Sequence, residues 1–211
     1  SSLTQITIPT SVVKIEENSF ENCDNLLVYF QNCYSFSIYN IFSNELFISS
    51  SEVKYNFINQ KYINQIAHIT LSKSVKSIQE SVFKNFSSLK SITITSTTEE
   101  IGEQTFYGCS SLINIQIPPS INQIKTLTFY GCKSLTEISI QSSCISIGDY
   151  AFYECSSLTK ISLNSSLKKI GEYAFYGCSS LIEISLNSSL KKICGYAFFG
   201  CSSLTEVIIP E

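Results

Sequence analysis

The chain of 211 residues is 44% hydrophobic and 15% charged, with a net charge of −3 and a pI near 5.3. That balance excludes a disordered chain, and it excludes a nucleic-acid surface, which needs clustered cations. A single histidine excludes catalytic and metal centres that draw on several, while nine cysteines and 38 serines call for an explanation.

No stretch approaches the roughly 18 apolar residues of a spanning helix, so no membrane insertion is expected in this segment. Ser1-Ser2-Leu3-Thr4-Gln5 has neither the basic nor the apolar region of a signal peptide, and an excised or mature chain looks the same. In the first elements, Leu3, Ile6, Ile8, Val12 and Ile15 take strand positions and Phe20-Glu21-Asn22-Cys23 a loop position. The interval from Leu26 to Ile66 falls six positions short of two regular coils. That stretch is rich in aromatics, among them Tyr29, Phe30, Tyr34, Phe36, Tyr39, Phe42, Phe47 and Tyr55. It reads as one shortened coil within about 27–65, with Leu46, Ile48 and Val53 as its core. It contains no Gly or Pro, so a flexible linker is not expected and residues 1–211 read as a single domain.

Regular repeats fill residues 66–211. Phe83, Phe106, Phe129, Phe152, Phe175 and Phe198 recur at every twenty-third position, as do Cys109, Cys132, Cys155, Cys178 and Cys201. Leu89 to Leu204 form a third series at the same period. The unit from Leu158 to Ser180 reads LTKISLNSSLKKIGEYAFYGCSS. Ile161 and Leu163 alternate as in a short strand with one buried face. Asn164-Ser165-Ser166, or Pro118-Pro119-Ser120 in another copy, supplies a turn. Leu167 and Ile170 predict a second extended segment on the opposite wall. Gly171 allows a bend, and Ala174-Phe175 returns a ring to the core. One such unit cannot bury its apolar stripe alone, so it must stack on its neighbours. The expected fold is a repeat solenoid: a right-handed coil with a parallel sheet on its concave face, strands about 4.8 Å apart, and little helix.

The pattern Leu-x-x-Ile-x-Leu-x-x-Ser-Leu-x-x-Ile-Gly-x-x-Ala-Phe-x-x-Cys resembles the BspA-like, or treponemal-type, leucine-rich repeat. It is matched best from Leu135 to Glu211, well from Ile66 onward, and again over Leu3 to Asn25. Members of that family are typically surface proteins of mucosal bacteria and protozoan parasites, associated with adhesion to host components. The resemblance implies a binding scaffold at the cell surface or outside the cell. The last residues, Leu204 to Pro210, and the first, Ser2 to Thr4, show no polar cap, which predicts a segment of a longer array or end-to-end self-association.

The cysteine series has two readings, stacked ligands or small core side chains. No Cys-x-x-Cys pair exists to bring two thiolates to one metal ion, so a structural role is expected. Cys144 stands at a core position, and Cys194 and Cys33 are expected to be the exposed thiols. His68 sits outward on its strand, with nothing expected to pair with it for nucleophilic chemistry. The Ser-Ser pairs after each cysteine read as turn formers. Lys168-Lys169 and Lys191-Lys192 read as a solubility device on the opposite wall. Sequons occur at Asn85, Asn164 and Asn187.

The outward positions of the strand sheet are the expected ligand-binding face: His68, Lys90, Asn114, Gln116, Glu137, Lys160, Ile182, Glu183 and Glu206. Glu137, Lys160 and Glu183 fall one coil apart, so cross-strand ion pairs are the structural alternative to ligand contact. Ile113, Ile182 and Ile208, apolar at outward positions, favour a partner. The expected function is a non-enzymatic scaffold that recognises a protein or glycan through this face, without cofactor, metal or nucleic acid. The alternative is a cytoplasmic structural protein that stacks end to end or docks into a larger complex.

Overall fold

An aliphatic side chain between two polar ones gives a strand one dry face and one wet face. Asn114–Gln116, Glu137–Ser139, Lys160–Ser162 and Glu183–Ser185 all follow this rule, burying Ile115, Ile138, Ile161 and Ile184 between exposed neighbours. The computed structural model describes residues 5–9, 11–12, 27–31, 45–49, 52–53, 63–140 and 143–208. Within them these strands belong to one ten-stranded parallel sheet that also contains Gln5–Ile8, Leu27–Gln31, Glu45–Ser49, His68–Leu71, Ser91–Thr93 and Glu206–Ile208. The strands lie side by side in chain order, which is the arrangement of a solenoid. The one helical element among the described residues is the 3₁₀ turn Ile63–Gln65.

A second wall is made of two-residue strands. Glu52–Val53, Ser77–Ile78 and Glu100–Ile101 form one small parallel sheet, and Gln123–Ile124, Ser146–Ile147, Lys169–Ile170 and Lys192–Ile193 another. The wall therefore breaks between Ile101 and Gln123, where an ion pair from Lys125 Nζ to Glu100 Oε1 at 2.5 Å joins the two halves instead. A third set of hydrogen bonds runs along the segment that returns to the sheet. The amides of Phe106, Phe129, Phe152 and Phe175 donate to the carbonyls of Thr128, Ala151, Ala174 and Ala197 in the following coil at 2.7–2.9 Å.

Strand pairing gives the length of each coil. Ile6 pairs with Val28, Val28 with Leu46 and Leu46 with Ile69, so the early coils advance by 22, 18 and 23 positions. The shortening falls between Val28 and Leu46, and Leu46, Ile48 and Val53 are buried. Cys23, Cys33 and most of the aromatic residues of this stretch lie outside the described residues.

Stacking at one period turns each core residue into a ladder. Phe83, Phe106, Phe129, Phe152, Phe175 and Phe198 stack with ring centroids 5.1–5.6 Å apart. Those from Phe83 to Phe175 are fully buried. Phe86 takes the cysteine position of its coil and packs edge-on against Phe83 at 5.6 Å. The thiols of Cys109, Cys132, Cys155, Cys178 and Cys201 each donate to the carbonyl of Phe83, Phe106, Phe129, Phe152 and Phe175, 3.1–3.2 Å away in the preceding coil. A thiol thus supplies one small apolar group and a second donor to a carbonyl that already accepts a backbone amide of its own coil, as Phe106 does from Cys109 at 3.1 Å. All seven described cysteines are free. Burial pushes the thiols of Cys109, Cys132, Cys155 and Cys178 well up, and that of Cys201, in the last described coil, to about 11. Cys144 is buried too, its thiol donating to the Ser146 carbonyl at 3.4 Å.

The bend glycine is required by proximity and not by dihedral angle. A Cβ on Gly171 would come within 2.5 Å of the Gly148 carbonyl carbon, and one on Gly148 within 2.6 Å of the Thr126 amide nitrogen. At Gly102, Gly148 and Gly171 the neighbouring coil leaves no room for a side chain, whereas Gln79, Lys125 and Cys194 hold the same repeat position in the other coils.

Two outcomes follow. Phe152→Ala should destabilise the protein by about 3–5 kcal/mol, the usual cost of removing a buried ring, as measured by denaturant unfolding. A loss below about 0.5 kcal/mol would mean that the ring is not in the core. Under native conditions a thiol alkylating reagent should modify Cys194, which is part-exposed, well before Cys109, Cys132, Cys155 or Cys178, as read by peptide mass spectrometry.

Candidate functional site

Strand register puts six of the nine expected ligand-binding residues in a single row. His68 pairs with Ser91, Ser91 with Asn114, Asn114 with Glu137, Glu137 with Lys160, Lys160 with Glu183 and Glu183 with Glu206. Four of the expected residues meet at a depression of about 450 Å³ on the sheet, lined by Asn114, Gln116, Glu137, Ser139, Lys160 and Ser162. Among the described residues, none of Asn114, Gln116, Glu137 and Lys160 is held by a side-chain hydrogen bond or an ion pair. The cross-strand pairs expected of Glu137, Lys160 and Glu183 are not formed, although all three side chains are exposed and in register. Held one strand apart on an open face, each charge keeps its water in preference to its neighbour. Glu183 and Glu206 place like charges side by side, an arrangement that costs stability.

The remaining positions lie around this depression. Ile113 and Ile182 are 44% and 53% exposed one residue before the row, and Ile208 is 47% exposed two residues after it. Lys90 is exposed at the N-terminal end, its amide tied to the Ala67 carbonyl at 2.7 Å. Thr136, Thr159 and Thr205, which neighbour the row, spend their hydroxyls on carbonyls of the preceding coil at 3.0–3.3 Å and so belong to the framework. His68 corrects an expectation: it has a partner, since Nδ1 lies 2.7 Å from the Ser91 hydroxyl on the adjacent strand. The register that aligns the row brings them together, and their separation by one full repeat was the signal for it.

Among the described residues a larger hollow, about 810 Å³, lies on the second wall beside the break between Ile101 and Gln123. Of its polar lining residues only Asn85, as a sequon, was singled out in the sequence; Glu52, Gln79, Glu80, Lys84, Glu100, Glu103 and Lys125 were not. Its groups largely serve one another. Lys125 pairs with Glu100, Gln79 Nε2 donates to Glu52, and Lys84 Nζ donates to Gln104 Oε1 at 2.7 Å. The sheet depression has its polar groups unspent, which makes it the better candidate for a ligand.

Two of the three sequons also find a structural use. Asn164 is buried, its amide nitrogen donating to the Cys144 carbonyl at 2.8 Å and its oxygen accepting from the Ser166 amide at 2.7 Å. Asn187 repeats the arrangement on Asn164 and Ser189 one coil later. Asn85 is exposed. Among the described residues no group of histidine, cysteine and acidic side chains is placed to hold a metal ion, and no helix is long and apolar enough to cross a membrane.

Known proteins carry the same architecture. A leucine-rich repeat protein of T. pallidum is 29% identical, with a TM-score of 0.65 over 67% of this chain and 69% of its own. One from Bacteroides ovatus is 27% identical with a TM-score of 0.67, covering 98% of this chain and 61% of the other. A third, from Eubacterium ventriosum, is 22% identical with a TM-score of 0.58 and shares the fold over 97% of this chain and 60% of its own. The chain thus spans about two thirds or less of the length of each. No curated protein matches it. Six copies of the BspA type leucine rich repeat region match over residues 1–110, 54–147 and 122–211. With that match running the length of the sequence, the chain belongs to the BspA-type leucine-rich repeat family.

Proposed function

We propose that this chain is a binding scaffold, one continuous repeat unit, that recognises a protein or glycan through its strand face, in the setting of cell-surface adhesion. The observation that supports this reading is the set of unspent polar groups around the sheet depression: Asn114, Gln116, Glu137 and Lys160 stand on a rigid parallel sheet and make no contact that folding requires. Rigid placement lowers the entropy lost when a partner binds. The exposed Ile113 and Ile182 add apolar area beside the polar groups, the usual mixture of an interface. The cell-surface setting rests on likeness to the family. A second reading, an intracellular assembly scaffold, is favoured by the seven free thiols, since disulfides are the rule only in oxidising compartments.

Replacing Glu137, Lys160 and Glu183 together with Ala should weaken binding to immobilised host glycoproteins or to glycan arrays by about tenfold or more, roughly 1.4 kcal/mol, with the melting temperature nearly unchanged. Retained binding by that variant would move the site off the strand face. The two settings separate on glycosylation. On passage through a secretory pathway, Asn85 should carry glycan in the folded protein and Asn164 none, because the Asn164 amide is a buried donor. Folded protein glycosylated at Asn164 would contradict that assignment.

A further inference from the structure

Between each second-wall strand and the next sheet strand, the chain carries a second and a third ladder of rings outside the core. Tyr107, Tyr130, Tyr153, Tyr176 and Phe199 stack at 4.6, 4.7, 4.7 and 5.2 Å. Tyr150, Tyr173 and Tyr196 stack beside them at 4.9 and 5.0 Å. The two rows touch at 5.7–6.0 Å. Six of these eight rings are half-buried and Tyr196 and Phe199, in the last coil, are exposed, whereas the phenylalanine ladder one residue away from the first row is fully buried from Phe83 to Phe175. Stacking along the rows covers the ring faces and leaves their outer edges open to solvent. A continuous aromatic surface of this size marks an interface more often than chance exposure.

Backbone geometry adds an independent observation. Tyr150, Tyr173 and Tyr196 have φ of 56°, 54° and 56°, in the left-handed region where a bulky residue is strained. Ser81, Gln104 and Leu127 hold the same repeat position with φ of 59°, 53° and 59°, so the left-handed backbone belongs to the repeat and does not ask for an aromatic there.

Charge defines the partner. Asp149 and Glu172 directly precede Tyr150 and Tyr173, and Glu154 directly follows Tyr153. The phenols of Tyr130, Tyr153 and Tyr173 are pushed up by partial enclosure and then by neighbouring phenols and by Glu154 or Glu172, which stand close to these rings. The outer edge of the stripe is thus hydroxyls and carboxylates over an apolar base. Its N-terminal end carries a cation: Lys84, at the repeat position of the tyrosine row, sets Nζ 4.7 Å from the Tyr107 ring centroid while donating to Gln104. Among the described residues no other cation lies over a ring of the stripe.

We propose that the stripe of Tyr130, Tyr150, Tyr153, Tyr173 and Tyr176, edged by Glu154 and Glu172, is a second interaction surface that takes a basic, extended segment of a partner protein. Ammonium and guanidinium groups of that segment donate to the carboxylates and phenol oxygens, and their aliphatic stems lie along the open ring edges. The stripe is separate from the strand face and does not depend on what that face binds.

The test is a fluorescence-anisotropy titration with three probes: a labelled Arg-Gly repeat peptide, the matched Glu-Gly peptide and a neutral chito-oligosaccharide. The unaltered chain should bind the basic peptide at least about tenfold more tightly than either other probe, with affinity falling as salt rises. Tyr150→Gly with Tyr173→Gly removes two rings and relieves the left-handed strain, so this variant should fold at least as well, checked by melting temperature, yet lose about tenfold or more in affinity. Glu154→Gln with Glu172→Gln should weaken binding and flatten its salt dependence, whereas Glu99→Gln, an exposed acidic position on the second wall away from the tyrosine rows, should leave both unchanged. Undiminished binding by the double-glycine variant, an equal loss in the Glu99 control, or preference for the acidic peptide or the sugar would overturn the proposal.

Discussion

One constraint runs through the whole molecule: each coil must lie on its predecessor in register along three walls at once. The sheet, the short second-wall strands and the returning segment each contribute parallel hydrogen bonds between residues 22 or 23 positions apart. A parallel ladder holds neighbouring chains at about 4.8 Å, so every side chain meets its own counterpart above and below. The phenylalanine and tyrosine ladders, the thiol-to-carbonyl bonds and the asparagine amides are all consequences of that one geometry. Stability in such a stack is a sum of coil and neighbour terms, so a residue that stacks well on itself is favoured at every repeat. Phenylalanine stacks with offset rings, and cysteine gives its proton to the same carbonyl each time.

The same constraint separates what could be read in the sequence from what could not. The period, the buried isoleucines of the strands and the placement of Cys144 in the core were legible because translation by one repeat is visible in letters alone. Register along the sheet followed from it, which is why the row from His68 to Glu206 could be written down before any coordinates. The position of the shortening was not legible, since the short coil between Val28 and Leu46 has no counterpart to align with. The break in the second wall was equally hidden: Glu100–Ile101 and Gln123–Ile124 have the pattern of their neighbours but not the ladder bonds. Contacts that depend on rotamers were also missed, as with His68 on Ser91 and the amide of Asn164 on Cys144. The asparagine case is instructive because a glycosylation signal and a buried structural amide are the same three letters.

Register also explains why charge on the strand face stays unspent. Ion pairing across neighbouring strands asks two side chains to converge from backbones held parallel, and on an open sheet water competes with success. Glu137, Lys160 and Glu183 are exposed and form no ion pair with one another. On the second wall the break opens a hollow where side chains can approach from either half, and there Lys125 does reach Glu100. Opposite charges in adjacent repeats do not pair merely by being in register, as Glu137 and Lys160 show.

A solenoid of this kind divides its surface by cost. Positions facing the core or bonded to the preceding coil tolerate little variety: the Gly171 bend admits no Cβ, and the threonines beside the row are committed to carbonyls. Outward positions of the strands carry no such commitment, and they hold His, Ser, Asn, Glu and Lys in successive coils. The tyrosine positions are intermediate. From Tyr107 to Tyr176 one row repeats as faithfully as the core, yet its rings are not buried, and beside it Tyr150 and Tyr173 are kept in a strained backbone. Fidelity in a core ladder is explained by packing. Fidelity in a half-exposed row keeps one edge of every ring in solvent, and it is that edge, with Glu154 and Glu172 beside it, that the proposed second surface would use.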